Sequence, residues 1–167
     1  SNVTILNRIP TVTNIVLNMT NLNNYSSNNL TLYFNQTDPD GDYLYNATDW
    51  RINGQSIAVL NMPFNTNFTA TSNASRGVRD YSTYINNGSL GNSSSVTQPT
   101  WTSNGKIGGA YRFDGRNTSI IIPDSASLEP VQATTISLWI YPTTWDHTAQ
   151  VALLSKRNST NTADGYF

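Results

Sequence analysis

Apolar residues recur at a period of two over most of this chain. The clearest segments are rich in β-branched and aromatic residues, are bounded by Asn, Gly, Pro or Asp, and cover 11–17, 30–34, 120–122 and 136–140. A period of two places successive side chains on opposite faces of a strand, whereas an amphipathic helix requires a period of about 3.6. No window of about 12 residues carries a helical stripe. The sequence therefore predicts an all-β fold.

Turn signals separate these segments. They are Asn23-Asn24, Asp38-Pro39-Asp40-Gly41, Asn53-Gly54, Asn87-Gly88 and Asn104-Gly105. Asn-Gly supplies the positive φ angles of a type I′ hairpin turn, so we expect such a turn at Asn53-Gly54. Antiparallel sheets joined by turns pack face to face so that each buries one side, which predicts a sandwich architecture.

The stretch between Asn61 and Arg76 is polar and weakly patterned. It offers little apolar surface to bury, which is typical of a linker. We therefore predict a linker over 63–76, between a first module of residues 1–62 and a second module of residues 77–167. Each module is near the lower size limit for a domain with its own core.

Charge and cysteine content exclude several classes of function. Charged residues make up 11% of the chain and its net charge is −1, so no basic surface is available to bind nucleic acid. The chain has no cysteine, which excludes disulfides and thiol chemistry. No apolar run approaches the roughly 20 residues of a membrane span. No leader opens the chain, and we expect that the signal peptide of a secreted precursor has been removed.

Asn-x-Ser/Thr triplets are dense in this sequence, and none has proline in the middle. They begin at Asn2, Asn18, Asn24, Asn29, Asn35, Asn46, Asn67, Asn73, Asn87, Asn92, Asn117 and Asn158. With 23 Asn and 40 Ser plus Thr in 167 residues, random order would produce about 5 to 6 triplets. Each triplet can accept a covalent N-linked glycan in a secreted chain and must then lie at the surface. The alternative is a polar composition that carries no sugar.

Three motifs follow one another in the first module. They are Asn29-Leu30-Thr31-Leu32-Tyr33-Phe34, Thr37-Asp38-Pro39-Asp40-Gly41-Asp42 and Asp49-Trp50-Arg51-Ile52-Asn53-Gly54. This order resembles the immunoglobulin-like or PKD-like modules of archaeal and bacterial surface proteins. The resemblance implies an N-terminal Ig-like β-sandwich, with Trp50 filling the core between its sheets. A Trp in a short strand also suits the core of a small sandwich on physical grounds.

A longer series of motifs occurs in the second module. In order, it contains Arg79-Asp80-Tyr81-Ser82, Asn86-Asn87-Gly88, Gly-Gly-Ala-Tyr-Arg-Phe-Asp-Gly at 108–115 and Thr-Ile-Ser-Leu-Trp-Ile-Tyr-Pro at 135–142. The series resembles the laminin G-like, concanavalin A-like jelly roll. The resemblance implies two curved antiparallel sheets packed face to face. We expect Ala110, Phe113 and Trp139 to alternate into the core, and Gly108-Gly109 to let one backbone pass close to another.

The jelly roll that this module resembles has further strands after the part that matches 136–156. We therefore expect a partial jelly roll, which either belongs to a longer polypeptide or is completed by a neighbouring copy. In the second case an extended segment such as Val3-Thr4-Ile5-Leu6 would pair with an open strand edge. Heterologous contacts of that kind build filaments.

Two carboxylate-bearing turns bear on metal binding. Asp38, Asp40 and Asp42 alternate in one tight turn, and calcium (Ca2+) prefers several converging oxygens, so this turn is either a calcium site or an ordinary polar turn. Jelly rolls of the type above often place further carboxylates after Phe-Asp-Gly, whereas this chain continues with Arg116-Asn117-Thr118. We therefore predict that Asp114 caps its turn by accepting local backbone N–H groups.

Catalytic residues are scarce. His147 is the only histidine and lies in a polar loop, so no base–nucleophile pair is evident. Glu129 is the only glutamate, so a glycosidase pair would have to be built from Asp residues dispersed over turns. The sequence predicts no enzymatic activity and no required cofactor. Among the aromatic residues near predicted loops, Trp145 is the best candidate for stacking against a sugar.

These observations favour a non-enzymatic, heavily N-glycosylated extracellular or cell-surface protein with a structural or adhesive role. Its expected partners are copies of itself, joined through strand edges in a filament, or other surface proteins and glycans. The alternative is a carbohydrate-binding accessory module of a larger secreted enzyme or adhesin.

Overall fold

The structure is a computed structural model that describes residues 7–19, 27–67, 77–91, 94–129, 132–144 and 152–156. The chain divides into two compact units, Ser1–Ala47 and Thr48–Phe167. Strands in the described ranges pair into small antiparallel sheets, and these ranges contain no α-helix. The prediction that the chain is built from β-strands is confirmed. Within the same ranges, no helix has the length and apolar character of a membrane span.

The first unit contains a two-stranded antiparallel ribbon. Strand β1 (Thr11–Met19) pairs with strand β2 (Leu30–Thr37), so that Thr11 lies opposite Thr37 and Met19 opposite Leu30. The hydroxyl oxygens of Thr11 and Thr37 are 2.8 Å apart and share a hydrogen bond. The strands predicted at 11–17 and 30–34 are confirmed, and both extend beyond the predicted bounds.

A β-bulge interrupts β1 at its middle. Thr13 pairs with Asn35 and Val16 with Tyr33, so two residues of β1 oppose a single residue of β2. One of the two, Asn14, has a φ of 52°, a left-handed conformation that asparagine tolerates better than most residues. The extra residue reverses the alternation of β1 relative to β2.

The bulge gives the ribbon two chemically different faces. Residues directly opposite each other in an antiparallel pair share a face. What we call the apolar face comprises Val12, Leu17, Met19, Leu30, Leu32 and Phe34, together with Gln36. The other face carries two of the triplet asparagines, Asn18 and Asn35, and we call it the acceptor face because such asparagines can accept a glycan. It comprises Thr11, Thr13, Val16, Asn18, Thr31, Tyr33, Asn35 and Thr37. On β2 the burial follows the same alternation, because 31, 33, 35 and 37 are exposed whereas 32, 34 and 36 are half-buried.

The second unit begins with a short hairpin. Strands β3 (Arg51–Ile52) and β4 (Gln55–Ser56) pair antiparallel around Asn53 and Gly54. These two turn residues have φ angles of 50° and 83°. Two consecutive positive φ angles define the type I′ turn, so the turn predicted at Asn53-Gly54 is confirmed.

Two further sheets carry the core of this unit. Strand β5 (Ser89–Leu90) pairs with β8 (Ile120–Ile121), and β6 (Thr100–Thr102) pairs with β7 (Ala110–Arg112). Single 3-10 turns cover Ser95–Thr97 and Ala126–Leu128. The core consists of buried Val78, Leu90 and Tyr111, with half-buried Met62, Phe64, Trp101 and Ile120 packed against them.

Gly109 allows the segment around Phe64 to approach the β6–β7 sheet. A Cβ atom at Gly109 would lie 2.5 Å from the Phe64 carbonyl oxygen and 2.7 Å from Trp101 Nε1, which is closer than a side chain tolerates. In the space left free, Trp101 Nε1 donates a hydrogen bond of 2.8 Å to that carbonyl, and the Phe64 ring meets Tyr111 edge-on with centroids 5.5 Å apart. The predicted close approach of backbones is confirmed at Gly109.

The predicted core residues are partly wrong. Phe113 is 48% exposed, Trp139 73% and Trp50 40%. Tyr111, two residues before Phe113, is buried instead. Tyr111 lies opposite Trp101 in the β6–β7 pair. Strand β7 ends at Arg112, so the strand alternation that buries Tyr111 does not extend to Phe113. Ala110 is half-buried.

The strand predicted at 136–140 is also absent. Residues 132–144 are exposed and form no hydrogen-bonded ladder with any described strand. A β-strand is stabilised by pairing with a partner, and local propensity alone does not supply one. Lys106 Nζ lies 5.6 Å from the centroid of the Trp139 ring, which is within range of a cation–π contact.

The predicted module boundaries fall at different positions from the observed division, which lies between Ala47 and Thr48. Part of the predicted linker, 68–76, is outside the described residues. Phe64, which also belongs to that linker, packs against the core of the second unit. The modules 1–62 and 77–167 stay a prediction.

Candidate functional site

The asparagines of the Asn-x-Ser/Thr triplets are exposed wherever the structure describes them. Seven of the twelve lie in the described ranges, and all seven are exposed: Asn18, Asn29, Asn35, Asn46, Asn67, Asn87 and Asn117. The remaining five, Asn2, Asn24, Asn73, Asn92 and Asn158, lie outside the described residues. An attached oligosaccharide requires solvent around its asparagine, and these seven positions meet that requirement.

Several asparagines outside the triplets are less exposed. Asn28, Asn61 and Asn65 are half-buried, and Asn86 is buried. The Asn86 side-chain nitrogen donates hydrogen bonds of 2.9 Å to the Val59 carbonyl and to Ser127 Oγ. Asn86 and Asn87 are adjacent, yet only Asn87 begins a triplet and only Asn87 is exposed. Four other described asparagines that begin no triplet, Asn7, Asn14, Asn53 and Asn104, are exposed as well. Every described triplet asparagine is therefore exposed, whereas the other described asparagines are divided between exposed and covered positions.

Asp80 organises the loop that presents Asn87. Its side chain is buried, with the residue only 3% exposed. Oδ1 accepts hydrogen bonds of 2.9 Å from the backbone N–H groups of Asn61 and Ser82. Oδ2 accepts bonds of 2.6 Å from Ser82 Oγ and 2.8 Å from the Asn86 N–H. Four donors thus satisfy a buried carboxylate, as such a group requires.

The same residue also orients Asn87. The backbone N–H of Asp80 donates a 2.9 Å hydrogen bond to Asn87 Oδ1. This hydrogen bond holds the Asn87 amide with its oxygen toward the loop. It leaves Nδ2, the atom that would carry a glycan, outside that bond. We call Asn61, Asp80, Ser82, Asn86 and Asn87 the Asp80 network. Asp80 and Asn87 both belong to the motifs at 79–82 and 86–88 that resemble the jelly roll, but those motifs did not predict this role for Asp80.

The β3–β4 hairpin is joined to the same loop. Thr83 Oγ1 accepts bonds of 2.6 Å from Gln55 Nε2 and 3.0 Å from the Ser56 N–H, and the Thr83 N–H donates to Ser56 Oγ at 2.7 Å. Asp49 Oδ2 accepts from Arg51 Nε at 2.5 Å and from Ser56 Oγ at 2.7 Å. These two hydrogen bonds, that from Arg51 first, lower the pKa of Asp49. The hydrogen bonds between Thr83 and the hairpin hold the loop against β4.

The turn predicted as a calcium candidate is held by internal hydrogen bonds and by an arginine. Asp38 Oδ1 accepts from the N–H groups of Asp40, at 2.8 Å, and Asp42, at 3.3 Å. Both carboxylate oxygens of Asp40 are engaged by Arg8, Oδ1 by Nε at 2.8 Å and Oδ2 by the backbone N–H at 2.6 Å. Gly41 has a φ of 77°. This geometry supports the ordinary polar turn.

Metal ligands do not converge in the described part of the chain. No group of three or more His, Cys, Asp or Glu side chains that could hold a metal ion occurs there. Asp38, Asp40 and Asp42 belong to one turn but do not form such a group, and Asp40 is paired with Arg8. Calcium binding at this turn stays a prediction that the geometry does not support.

Asp114 caps the turn that carries the acceptor Asn117. Its Oδ1 accepts from the N–H groups of Arg116 at 2.9 Å, Asn117 at 3.1 Å and Thr118 at 3.2 Å, and from Thr118 Oγ1 at 2.8 Å. These bonds, led by those from Arg116 and the Thr118 hydroxyl, hold the pKa of Asp114 well below its usual range. The predicted turn-capping role of Asp114 is confirmed.

We expect Asp114 to make stability depend on pH in the acid range. Because folding lowers its pKa, its contribution is fully present above the unfolded value, near 3.8, and is lost as pH falls toward the folded value. The difference in unfolding midpoint between the wild type and Asp114→Asn should therefore be largest at about pH 5 and shrink toward about pH 2. Thermal unfolding of both proteins across this range measures it, and a constant difference would contradict the prediction.

Lys156 joins two carboxylates at the other end of the described chain. Its Nζ lies 2.7 Å from Asp124 Oδ1 and 2.7 Å from Glu129 Oε1. Hydrogen bonds to Asp124 and then to Glu129 raise the pKa of Lys156, and the Lys156 hydrogen bond lowers that of Asp124. The only glutamate of the chain is therefore part of an ion pair, and the cluster fastens 152–156 to the segment around the second 3-10 turn.

The remaining candidate residues are not placed by the structure. Trp145, predicted to stack against a sugar, and His147 both lie outside the described residues. A small cavity beside Tyr111, bordered by Phe64 and Arg79, has a volume of about 10 Å³. That volume is at the lower limit for one water molecule, so this cavity does not admit a sugar ring.

Comparisons with protein families, with curated proteins and with solved structures find no match for this chain.

Proposed function

We propose that this chain is an N-glycosylated extracellular or cell-surface protein with a structural or adhesive role and no enzymatic activity. It associates with copies of itself or with other surface proteins through its strands. In this proposal an Ig-like sandwich and a partial jelly roll complete the small sheets described above. The observation that carries the proposal is the exposure of all seven described acceptor asparagines, in contrast to buried Asn86.

The low charge of the chain supports an oligosaccharide coat. Only 11% of the residues are charged, which is well below the usual share of about 25%. At the same time, many large apolar side chains are exposed, and such surfaces promote association or aggregation. Glycans would keep the surface hydrated where charged side chains are few. They would also restrict association between chains to surfaces that carry no triplet asparagine.

The β1–β2 ribbon supplies a surface for association. On the apolar face, Val12, Leu17 and Leu30 are exposed, and neither strand contains a charged residue. In the described residues each strand of this ribbon pairs with one partner only, so each has an open edge. Open edges and uncovered apolar faces are the surfaces through which strands add to one another.

Mass spectrometry of the chain secreted from an N-glycosylating host tests the proposal. We expect an intact mass above the 18.4 kDa of the polypeptide, and peptides in which several of the seven described acceptors carry sugar while Asn61 and Asn86 carry none. At Asn117, Ser119→Ala should remove the modification because the triplet is lost, whereas Ser119→Thr should keep it. A secreted chain with the bare polypeptide mass would refute the proposal.

A further inference from the structure

One exposed aromatic side chain lies among the acceptors of the β1–β2 ribbon. Tyr33 is on the acceptor face and is 58% exposed. It precedes the acceptor Asn35 by two residues, and Thr37, whose hydroxyl completes the triplet, follows Asn35 by two. Of the twelve acceptors in the sequence, Asn35 alone has an aromatic residue at this position.

Strand geometry brings these three side chains together. A strand rises about 3.3 Å per residue with side chains on alternating faces, so residues two apart point the same way at a separation of about 6.6 Å. The phenol ring of Tyr33 is therefore a direct neighbour of the Asn35 amide. The next aromatic residue, Phe34, belongs to the apolar face and is half-buried, so it is turned away from Asn35.

A second acceptor also lies near Tyr33. Asn18 pairs with Thr31, and Tyr33 pairs with Val16, which places Asn18 diagonally across the ribbon from Tyr33, at about 7–8 Å between Cα atoms. Tyr33 thus lies between two acceptors on one face. It is the only aromatic residue of that face.

A sugar attached at Asn35 and the ring of Tyr33 have complementary surfaces. A pyranose ring has an apolar surface of C–H groups, and an aromatic ring offers a flat, electron-rich surface with little conformational entropy to lose. The Tyr33 hydroxyl can stay in water while the ring is covered, because tyrosine has an apolar body and a polar tip. An exposed aromatic ring next to an acceptor is therefore stabilised when the sugar covers it.

We infer that the first sugar of an oligosaccharide on Asn35 packs its C–H surface against the ring of Tyr33. This inference rests on the proposed function, because it requires that Asn35 is modified. In that modification the Asn35 Nδ2–C1 bond forms while the C1–O bond to the phosphate of an activated glycosyl donor breaks, and one Nδ2 proton leaves with the released phosphate. The contact would order the glycan and stabilise the ribbon.

Nuclear magnetic resonance of the full glycosylated chain tests this contact. Protons of the Asn35 sugar that lie over the Tyr33 ring should resonate upfield of the matching protons of the Asn117 sugar, which has Gly115 at the corresponding position and serves as the control. Tyr33→Phe should keep the upfield shift because the ring remains. Tyr33→Thr should abolish it without disturbing the strand, because threonine has a high strand propensity.

Thermal unfolding supplies a second readout through a double-mutant cycle with Asn35→Gln, which removes the glycan. We expect the glycan to raise the unfolding midpoint by about 2–4 °C when Tyr33 is present and by much less in Tyr33→Thr. If Asn35 carries sugar but neither the resonances nor the midpoint depends on Tyr33, the inference is wrong and the glycosylation stands. If mass spectrometry shows Asn35 unmodified, the inference fails for that reason, and modification at the other acceptors decides the proposed function.

Discussion

Replacing Asp80 with alanine is expected to lower the free energy of unfolding by about 3–5 kcal/mol. The change removes the acceptor of four hydrogen bonds from a site that is 3% exposed. The N–H groups of Asn61, Ser82 and Asn86 would be left without their partner, and each buried unsatisfied donor costs about 1–3 kcal/mol before water or local movement compensates. Denaturant titration followed by tryptophan fluorescence measures the change.

Two further variants identify the cause of this loss. Asp80→Asn keeps the size of the side chain but turns an amide nitrogen toward donors, so it should also destabilise, by less than alanine does. Asp42→Ala removes an exposed carboxylate from a turn and should change the free energy of unfolding by less than about 0.5 kcal/mol. An Asp80→Ala protein as stable as the wild type would show that the Asp80 network does not hold the loop.

The second large effect is expected on self-association. Leu17→Asp places a carboxylate on the apolar face of the β1–β2 ribbon and should weaken association of the glycosylated chain more than about tenfold, since an unpaired charge is costly to bury against an apolar partner. Val16→Asp is the matched control. The two residues are adjacent and similarly exposed, at 56% and 50%, but Val16 lies on the acceptor face.

Sedimentation over a concentration series measures both variants against the wild type. We expect Val16→Asp to associate within about twofold of the wild type, because a glycan-bearing face is not expected to be buried in the contact. Equal effects of the two substitutions would show that association does not use the apolar face. A wild-type chain that stays monomeric at every concentration would remove self-association from the proposed function.

The local features of this fold follow from short stretches of sequence. The period of two predicts β1 and β2, Asn53-Gly54 predicts a type I′ turn, and Asp114 predicts a capped turn. Each of these depends on residues within a few positions of one another. The backbone φ preference of Asn and Gly and the reach of an Asp side chain to nearby N–H groups are properties of the chain itself.

The candidate site likewise has features that the sequence shows and features that only the structure shows. The triplets and their number are visible in the sequence, and exposure of the described acceptors is what a surface modification requires. Strand alternation by itself places Asn35 on the same face as Tyr33. The sequence did not indicate that Asn18 shares this face, because that depends on the register between the two strands. Nor did it indicate that the backbone N–H of Asn61 joins donors from Ser82 and Asn86 at the Asp80 carboxylate.

By itself, then, the sequence determined the β class, the turns at 38–41 and 53–54 and the positions of the Asn-x-Ser/Thr triplets. It also predicted a turn at Asn87-Gly88, where Gly88 instead pairs with Val78. Only the tertiary structure decided which side of each strand is covered and which strands find a partner. Tyr111 became core while Phe113, which lies beyond the end of β7, stayed exposed, and 136–140 found no partner among the described strands although its composition favours a strand. The physical reason is that alternation defines two faces without ranking them, while burial and pairing are set by residues distant in the chain.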